Sequence, residues 1–470
     1  MNYELLLNKE DGRTYGLLKF LQDRPGMSAT MTELQHELNL SSFLLDKTLT
    51  TLKEDIQRFK MSAHFQLIVS DTSVLLETDS HYSRKLLQWK YLSESLSLEM
   101  LIAIFREKYI STEQFAESHH VSYSVAYKTL QVLKKALKPY QIMINKGKFV
   151  GNELHIFLFL TEVFPLSTIS ETHIYSVVTR MRMEKIVDFV CEKYDCTKYE
   201  QNFLRHYVSI MIEKDIDLVH LLSKDCHQFI QKSEDIVRDD ANLIRDKNLR
   251  VGLFIWLCKN GKGVFNSTDQ TKKEDSIVSL LNDFFCDSLV AHFDKGKVTI
   301  NPALISELTR VHFSICYFPS CLFKELEIAI DYFAQNYPEY YEFLANYIRQ
   351  LHRIYPIVEK FKSYLFFQYL LLLINYVPIE NIEEPVRIML DFSWGEQYNS
   401  FIKKNLSFFV NLNIEVIETE DSSHADIVLT NINRLYKNNE SKILVWLDPP
   451  QTNDWLNLTN VILDVKKTNL

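Results

Sequence analysis

The sequence predicts a mainly α-helical, multidomain protein, and three observations support this prediction. The chain has 470 residues but only 10 Gly and 11 Pro, and such a shortage of turn-forming residues favours long helices. Its apolar residues recur mostly at helical spacing. A chain of this length corresponds to roughly three or four domains of about 100–200 residues each. Strands are therefore expected only in short hairpins and near the carboxyl terminus.

Two segments near the amino terminus share one helix-turn-helix spacing, displaced by 81 positions. In each, a short helix is expected to precede a tight turn and a longer helix, the arrangement that presents a recognition helix to the DNA major groove. The matching positions are Leu34-Gln35, Leu38, Asn39, Leu40, Leu45, Thr48 and Leu49 in the first segment and Phe115-Ala116, His119, His120, Val121, Ala126, Thr129 and Leu130 in the second. The repetition predicts tandem DNA-binding modules.

The first module, residues 1–80, is predicted to be a winged helix-turn-helix domain. Ser41-Ser42 provides a helix cap, and Asp71-Thr72-Ser73 separates two apolar runs as a hairpin turn would. The expected helices are Arg13–Gln22, Met31–Leu38 and Ser42 to about Phe59, and the expected strands are Phe65–Val69 and Val74–Glu77. A hairpin directly after a recognition helix makes the domain winged.

The second module, residues 81–160, repeats this plan. Ser111 with Gln114 three residues later resembles a capping box, and Pro139 ends the recognition helix. Lys146 and Lys148 lie at the predicted tip of the wing, where they can reach phosphate or the minor groove. The expected helices are Leu98–Lys108, a short one opened by Ser111, and Ser122–Leu137, and the expected strands are Gln141–Asn145 and Phe149–Leu154.

The net charge of −9 is unevenly distributed along the chain. Residues 81–150 carry +6, whereas residues 1–80 carry −4, residues 151–385 carry −8 and residues 386–470 carry −3. Neutralisation of phosphates supplies much of the affinity of a protein for DNA. The second module is therefore expected to make most of the phosphate contacts.

The DNA-contacting side chains are predicted on the faces that the helix pairs leave exposed. Ser, Tyr, Gln and Lys can all bind phosphate oxygens, and Gln and Lys also suit base edges. Asp46 makes the first recognition helix less suited to DNA. The predicted DNA-binding residues are Ser42, Lys47 and Thr50 in the first module and Ser122, Tyr123, Ser124, Tyr127, Lys128, Gln131, Lys134, Lys146 and Lys148 in the second. The alternative is a solvated face of a winged helix that binds protein.

The remainder of the chain is predicted to form two helical bundles, residues 170–285 and 286–383, and a small α/β domain, residues 386–470. The expected bundle helices are Met181–Lys193, Glu200–Lys214, Leu249–Cys258, Asp275–Phe293, Pro302–Phe318, Pro338–His352 and Phe361–Tyr376. The last domain contains short apolar runs at Arg387–Phe392, Ile414–Ile417, Ile427–Leu429 and Ile443–Leu447, with a helical stretch at Tyr398–Phe409. Strands alternating with a helix predict a largely parallel sheet.

Several classes of function are not expected. The sequence has no P-loop, no G-x-G-x-x-G, no nucleophile elbow and no H-E-x-x-H, so neither an enzyme nor a cofactor is predicted. The seven cysteines include no C-x-x-C pair, which favours reduced buried thiols over a metal site. The amino terminus lacks a signal-peptide pattern, and the apolar run Tyr364–Ile374 is shorter than the ~20 residues that span a bilayer. A cytoplasmic protein without a membrane partner is expected.

His206 and His312 each lie within an apolar helical segment and share an arrangement of Leu, Arg, His and an aromatic residue. One interpretation is a buried histidine that is hydrogen-bonded within the core. The other is a histidine that accepts a phosphoryl group, whose negative charge would reset a helix interface.

The order of these parts resembles the Mga/AtxA-like family of virulence and global transcriptional regulators of Gram-positive bacteria, over nearly the whole chain and most specifically in Ser111–Gly151. The resemblance implies that the two bundles are phosphotransferase-system regulation domains (PRDs) and that the last domain is similar to the enzyme IIB component of sugar transporters. It further implies a homodimer that binds double-stranded promoter DNA, often with weak sequence preference and sensitivity to DNA bending, and phosphotransferase-system phosphocarrier proteins as partners.

By this resemblance, His206 and His312 match the first phosphorylatable histidine of each regulation domain. The later histidine of each domain is absent around Phe254-Ile255-Trp256 and Phe366-Phe367-Gln368. A IIB component carries its phosphoryl group on a cysteine after the first strand, whereas the loop here is Ser393-Trp394-Gly395. Control by phosphorylation is therefore expected to be partial or lost, and the last domain is expected to serve dimerisation or sensing.

The leading prediction is a DNA-binding transcriptional regulator, an activator, whose helical middle couples carbohydrate status to oligomeric state. A second hypothesis is a protein-interaction scaffold that receives phosphoryl groups from transport proteins. A third is an RNA-binding antiterminator, which shares the regulation domains but begins with a small β-rich module that residues 1–150 do not resemble. Salt-dependent DNA binding separates the regulator from the scaffold.

Overall fold

The computed structural model describes residues 3–79, 83–167, 169–222, 244, 246–262, 277–293, 298–323, 330–417, 424–432 and 441–469. Over these residues the chain is mainly helical, as predicted. It divides into two compact units. The amino-terminal unit contains residues 1–263 and 317–325, and the carboxy-terminal unit contains residues 264–316 and 326–470. The prediction of a helical, multidomain chain is thus confirmed.

The amino-terminal unit begins with three helices and a three-stranded antiparallel sheet of order β1-β3-β2. These elements are α1 (Lys9–Gln22), β1 (Ser28–Thr30), α2 (Met31–Glu37), α3 (Ser42–Arg58), β2 (Phe65–Val69) and β3 (Ser73–Thr78). Helix α1 begins about one turn before the predicted Arg13, because the Asn8 side chain accepts hydrogen bonds from the amides of Glu10 and Asp11, each at 2.9 Å. Strand β1 was not predicted, since three residues are too few to show alternation.

A second set of elements follows the same order and adds flanking helices. These elements are α4 (Lys85–Glu94), α5 (Leu96–Phe105), α6 (Thr112–Ser118), α7 (Tyr123–Leu137), β4 (Ile142–Asn145), β5 (Lys148–Gly151) and α8 (Glu153–Val163). The predicted strand Phe149–Leu154 is wrong beyond Gly151. The Asn152 side chain accepts a hydrogen bond from the His155 amide at 2.9 Å, so that a helix begins there and contains Leu154.

The rest of the amino-terminal unit is helical within the residues that the structure describes. Its helices are α9 (Glu171–Ile174), α10 (Val177–Tyr194), α11 (Lys198–Lys214), α12 (Leu218–Leu221) and α13 (Lys247–Lys259). Thr197 and Glu200 form a capping box that fixes the start of α11. The six cysteines in the described part of the chain are free thiols, two buried and four partly buried.

The carboxy-terminal unit contains a helical part and an α/β part. Its first helices are α14 (Ile277–Phe293), α15 (Pro302–Tyr317, of which Tyr317 groups with the other unit), α16 (Ile330–Asn336), α17 (Pro338–Ile354) and α18 (Lys362–Tyr376). Helix α14 continues through positions 285 and 286, where the sequence analysis divided the two bundles. Tyr364–Ile374 lies within α18, and no helix among the described residues is long and apolar enough to cross a membrane.

The α/β part has the parallel sheet that the sequence predicts. Its elements are β6 (Val386–Asp391), α19 (Glu396–Leu406), β7 (Ile414–Ile417), β8 (Ile427–Thr430), β9 (Lys442–Val445) and α20 (Thr452–Asn469). The strand order is β7-β6-β8-β9, and each neighbouring pair is parallel. Ile388, Ile427 and Leu429 form the core with Leu458 and Ile462 of α20, a helix that the sequence analysis did not predict.

Candidate nucleic-acid interface

The two helix-turn-helix segments have matching turns. The Leu40 amide donates to the Gln35 carbonyl oxygen at 2.9 Å, and the Val121 amide donates to the Ala116 carbonyl oxygen at 3.0 Å. Asn39 and His120 occupy corresponding positions, and their φ values are 52° and 55°. A left-handed residue at this point reverses the chain between two helices. The repeated sequence is therefore also a repeated backbone.

Each recognition helix begins at a serine cap. The Ser41 hydroxyl oxygen accepts a hydrogen bond from the Leu44 amide, and the Ser122 hydroxyl oxygen accepts one from the Val125 amide, both at 3.3 Å. The cap satisfies one of the amides that a helix leaves unpaired at its start. The Ser122 hydroxyl still has its proton, which can be donated to a phosphate oxygen.

Helix α7 separates a buried face from an exposed face that holds most of the predicted DNA-binding residues. Ala126, Leu130 and Leu133 are buried against the rest of the domain. The exposed residues are Tyr123, Ser124, Tyr127, Lys128, Gln131 and Lys134. Spacings of three and four residues place Tyr123, Tyr127, Gln131 and Lys134 along one side of the helix, and the two tyrosine rings stack with centroids 6.0 Å apart.

The wing carries two exposed lysines in different environments. Strands β4 and β5 pair antiparallel around Lys146-Gly147, and Gly147 has a φ of 74°. Lys146 forms no ion pair within the described residues. The Lys148 ammonium lies 3.1 Å from a carboxylate oxygen of Glu107, in the loop after α5. One of the two wing lysines predicted to contact DNA is therefore already paired with a carboxylate of the same domain.

The recognition helix and wing of the second module form an uninterrupted basic segment. Between Ser118 and Asn152 the sequence contains six lysines and no Asp or Glu. These lysines, at positions 128, 134, 135, 138, 146 and 148, are all exposed. Such a surface attracts phosphate and has few internal carboxylates to compete for it.

The first module presents a weaker cationic face. Ser42, Lys47 and Thr50 are exposed, as expected for contact residues. However, the Lys47 ammonium lies 2.8 Å from a carboxylate oxygen of Glu10, a hydrogen bond that holds the pKa of Glu10 below its usual value. The Thr50 hydroxyl donates to the Asp46 carbonyl oxygen at 2.9 Å. Lys47 is the only basic residue between Ser42 and Thr50, so this face has little net positive charge.

His206 is buried in α11, and its Nδ1 lies 2.8 Å from the Tyr175 hydroxyl oxygen. Burial lowers the pKa of His206 to about 4, although the neighbouring Glu171 carboxylate opposes this shift. Glu171 itself receives two hydrogen bonds from the Arg205 guanidinium, at 2.7 and 2.9 Å. At neutral pH the ring is uncharged, and its Nε2 makes no hydrogen bond within the described residues.

His312 is fully buried in α15, and both of its ring nitrogens are hydrogen-bonded. Nδ1 lies 2.6 Å from the Asn282 amide oxygen, and Nε2 lies 2.7 Å from the Tyr369 hydroxyl oxygen. Burial lowers the pKa of His312 to about 3. Phosphoryl transfer to this ring would require one of these bonds to break and the helices around it to open.

Sequence reasoning missed the partners of these residues. Glu10, Glu107, Tyr175, Asn282 and Tyr369 each lie on a different element from the residue they contact. No motif or spacing links Glu107 to Lys148, which is 41 positions later. Such pairs arise from tertiary packing, and a single sequence carries no local signal of them.

The fold and this surface define a class of protein. Helix-turn-helix segments with hairpin wings, one of them strongly basic, are typical of DNA-binding proteins. Residues 81–164, which include α4 to α8, match the family model described as the Mga helix-turn-helix domain. The match indicates a DNA-binding helix-turn-helix domain of a transcriptional regulator over this part of the chain.

The match supports membership of the Mga-like regulator family, as the sequence analysis expected. A comparison with curated proteins found no match.

Proposed function

We propose that this protein activates transcription by binding double-stranded promoter DNA through its winged helices, with the second module supplying most of the phosphate contacts. The observation that carries this proposal is the basic segment from Ser118 to Asn152, which has six exposed lysines in a chain of net charge −9. The acidic remainder disfavours non-specific binding elsewhere on the surface, so that phosphate is directed to this one segment.

The salt dependence of binding follows from the number of available lysines. Five of the six lysines make no ion pair within the described residues, and the sixth is held by Glu107. Each phosphate that is neutralised contributes about −0.9 to the slope of log K against log salt. One module that used all five would give a slope of roughly −4 to −5.

The test is a mobility shift with fragments from upstream of the protein's own and neighbouring genes, over a salt series. The variant Lys128→Glu/Lys134→Glu changes two exposed lysines of α7 and should abolish binding at 150 mM salt. Lys403→Glu/Lys404→Glu, on the exposed face of α19, makes the same change in net charge and should bind like the wild type. Equal binding by all three proteins would show that α7 does not contact the DNA. Absence of binding even at low salt would favour a protein-interaction scaffold.

We also propose that the helical regions act as phosphotransferase-system regulation domains in the cytoplasm, with His206 as the site that a phosphocarrier protein reaches. The ring of His206 has one hydrogen bond to a side chain, whereas that of His312 has two. Labelling by radioactive phosphoenolpyruvate through enzyme I and the phosphocarrier should be lost in His206→Ala and kept in His312→Ala. The reverse pattern would assign the role to His312, and no labelling of the wild type would refute this regulation.

A homodimer is proposed, with the α/β part as the contact. Its surface exposes Phe401 on α19 and Phe408 just beyond it, and Phe408 is 84% exposed. Clusters of exposed aromatic residues are typical of protein interfaces. Light scattering should give a mass of twice 55.4 kDa, and a monomer at micromolar concentration would contradict this proposal.

A further inference from the structure

One carboxylate joins the DNA-binding wing to the helical part of the amino-terminal unit. The Glu107 carboxylate has the Lys148 ammonium 3.1 Å from one oxygen and the Lys214 ammonium 3.1 Å from the other. Lys148 belongs to the wing, and Lys214 is the last residue of α11, the helix that also carries His206. Glu107 therefore has two competing cationic partners from two parts of the fold.

The loop that carries Glu107 is held in place by contacts of its neighbouring residues. Its φ is 56°, in the left-handed region. The tip of the wing is packed against the same loop: a Cβ on Gly147 would lie 2.4 Å from the Tyr109 carbonyl oxygen. On the opposite side, the Arg106 guanidinium donates to the His173 carbonyl oxygen at 2.7 Å. The Glu107 side chain itself is 54% exposed, so both of its ion pairs lie at the surface.

The second cation is also held in place. The Lys214 ammonium lies 5.1 Å from the centroid of the Phe105 ring, within the range of a cation–π contact. Phe105 is the last residue of α5, two residues before Glu107. The two lysines together hold the pKa of Glu107 below its usual value, first through the Lys148 hydrogen bond and then through that of Lys214. The carboxylate is therefore ionised at neutral pH, where DNA binding is measured.

We propose that Glu107 competes with DNA phosphate for the Lys148 ammonium, and that Lys214 limits this competition by engaging the same carboxylate. The inference rests on the proposed DNA binding and concerns its regulation. A carboxylate and a phosphate oxygen both accept hydrogen bonds from an ammonium, and a carboxylate next to the contact repels phosphate. A change that moves Lys214 away from Glu107 leaves the carboxylate to Lys148 alone, and DNA then binds more weakly.

The expected changes follow from counting charges. Glu107→Gln keeps the size of the side chain and removes its charge, so that Lys148 gains one phosphate contact. DNA affinity should rise about threefold to tenfold, and the slope of log K against log salt should become more negative by about 0.9. The gain should disappear when Lys148→Met is added, because the released ammonium is then missing.

The test is a double-mutant cycle on the full chain, read by fluorescence anisotropy with a labelled promoter duplex over a salt series. The cycle contains the wild type, Glu107→Gln, Lys214→Met and the double variant. Lys214→Met alone should weaken binding about twofold to fivefold. In the Glu107→Gln background the same substitution should have no effect, since the carboxylate through which Lys214 acts is gone. Glu117→Gln, an exposed carboxylate of α6 without an ion pair in the described part of the chain, is the control for loss of one negative charge.

Three results would overturn the inference. If Glu107→Gln binds DNA no more tightly than Glu117→Gln, Glu107 does not compete for Lys148. If Lys214→Met weakens binding equally in both backgrounds, Lys214 acts through its long-range charge and not through Glu107. If the wild type itself does not bind, the proposed function has failed and the inference fails with it, a result distinct from the other two. Circular dichroism of each variant confirms that differences in affinity do not arise from unfolding.

Discussion

The buried ring of His312 should make the stability of α15 depend on pH. The Asn282 side-chain NH₂ donates to the Thr309 hydroxyl oxygen at 2.8 Å, so its amide oxygen faces His312 Nδ1 at 2.6 Å. Nδ1 therefore carries the proton, and Nε2 accepts a hydrogen bond from the Tyr369 hydroxyl at 2.7 Å. Protonation at Nε2 would place an uncompensated charge in a fully buried site.

The size of the effect follows from the pKa. His312 has a pKa of about 3 in the folded protein, and an unfolded histidine has one of about 6.5. A base whose pKa is lowered by folding stabilises the fold above pH 6.5, and this contribution is lost as the pH falls. Between pH 7.5 and pH 5 the loss amounts to about 2 kcal/mol, at roughly 1.4 kcal/mol for each pH unit below 6.5. Down to pH 3 it reaches about 4 kcal/mol.

Hydrogen–deuterium exchange of peptides from Pro302–Tyr317 measures this directly. After correction for the intrinsic rate, the opening free energy of α15 in the wild type should fall by about 2 kcal/mol from pH 7.5 to pH 5. His312→Gln, which can donate to Asn282 and accept from Tyr369, should lose most of that dependence. His206→Gln serves as the matched control, because it should leave the pH dependence of α15 unchanged and reduce that of α11.

An equal fall in the wild type and in His312→Gln would refute the reasoning, since the pH dependence would then come from other groups. A second measurement avoids reliance on the variant. With ¹³C-labelled histidine, the resonance assigned to His312 should not titrate between pH 7.5 and pH 4.5. Titration in that range would show that the ring is accessible to protons in the native state.

Three further predictions concern other parts of the chain. Burial and the neighbouring Asp55 raise the pKa of Asp11 to about 6, so ionised Asp11 destabilises the fold above that pH. Thermal denaturation should show that Asp11→Asn raises the free energy of unfolding by on the order of 1 kcal/mol at pH 7.5, after solvent screening. Near pH 4 the same substitution should change it little. Gly151→Ala should destabilise the wing by about 1–3 kcal/mol and weaken DNA binding, because Gly151 has a φ of 132° and an added Cβ would lie 2.1 Å from the Gln141 carbonyl oxygen. Phe408→Asp should shift the proposed dimer to monomer in light scattering and leave the helical circular dichroism spectrum unchanged, because the side chain is exposed.

The local elements of the second module could be predicted from sequence because their signals are local. Ser111, Ser122 and Pro139 mark the ends of helices, and each acts within a few residues of its position. The capping of α8 by Asn152 is equally local, but the predicted strand was extended past it to Leu154. Helix α20 was missed because its polar residues obscure the spacing of Leu458 and Ile462.

The site was predictable only as a set of exposed side chains. Helical spacing places Tyr127, Gln131 and Lys134 along one side of α7, and this follows from the sequence alone. Their charge environment does not. Lys47 and Lys148 appear equivalent to Lys146 in the sequence, yet both have a carboxylate partner at about 3 Å in the structure. Ion pairs that form through tertiary packing produce no periodic pattern in the sequence.

These ion pairs change how the basic segment should be understood. A count of lysines treats every ammonium as available to phosphate, whereas Lys148 must first be released from Glu107. Lys146 and Lys148 lie at the tip of the same hairpin. Lys146 has no carboxylate partner among the described residues, whereas Lys148 is paired with Glu107, which also contacts Lys214 of α11. Affinity can therefore respond to the helical part without any movement of the recognition helix. A comparison of Lys146→Met and Lys148→Met in the Lys214→Met background should show this: the first substitution should retain its full effect on binding, and the second should lose part of its effect, because Glu107 already holds Lys148 more tightly there.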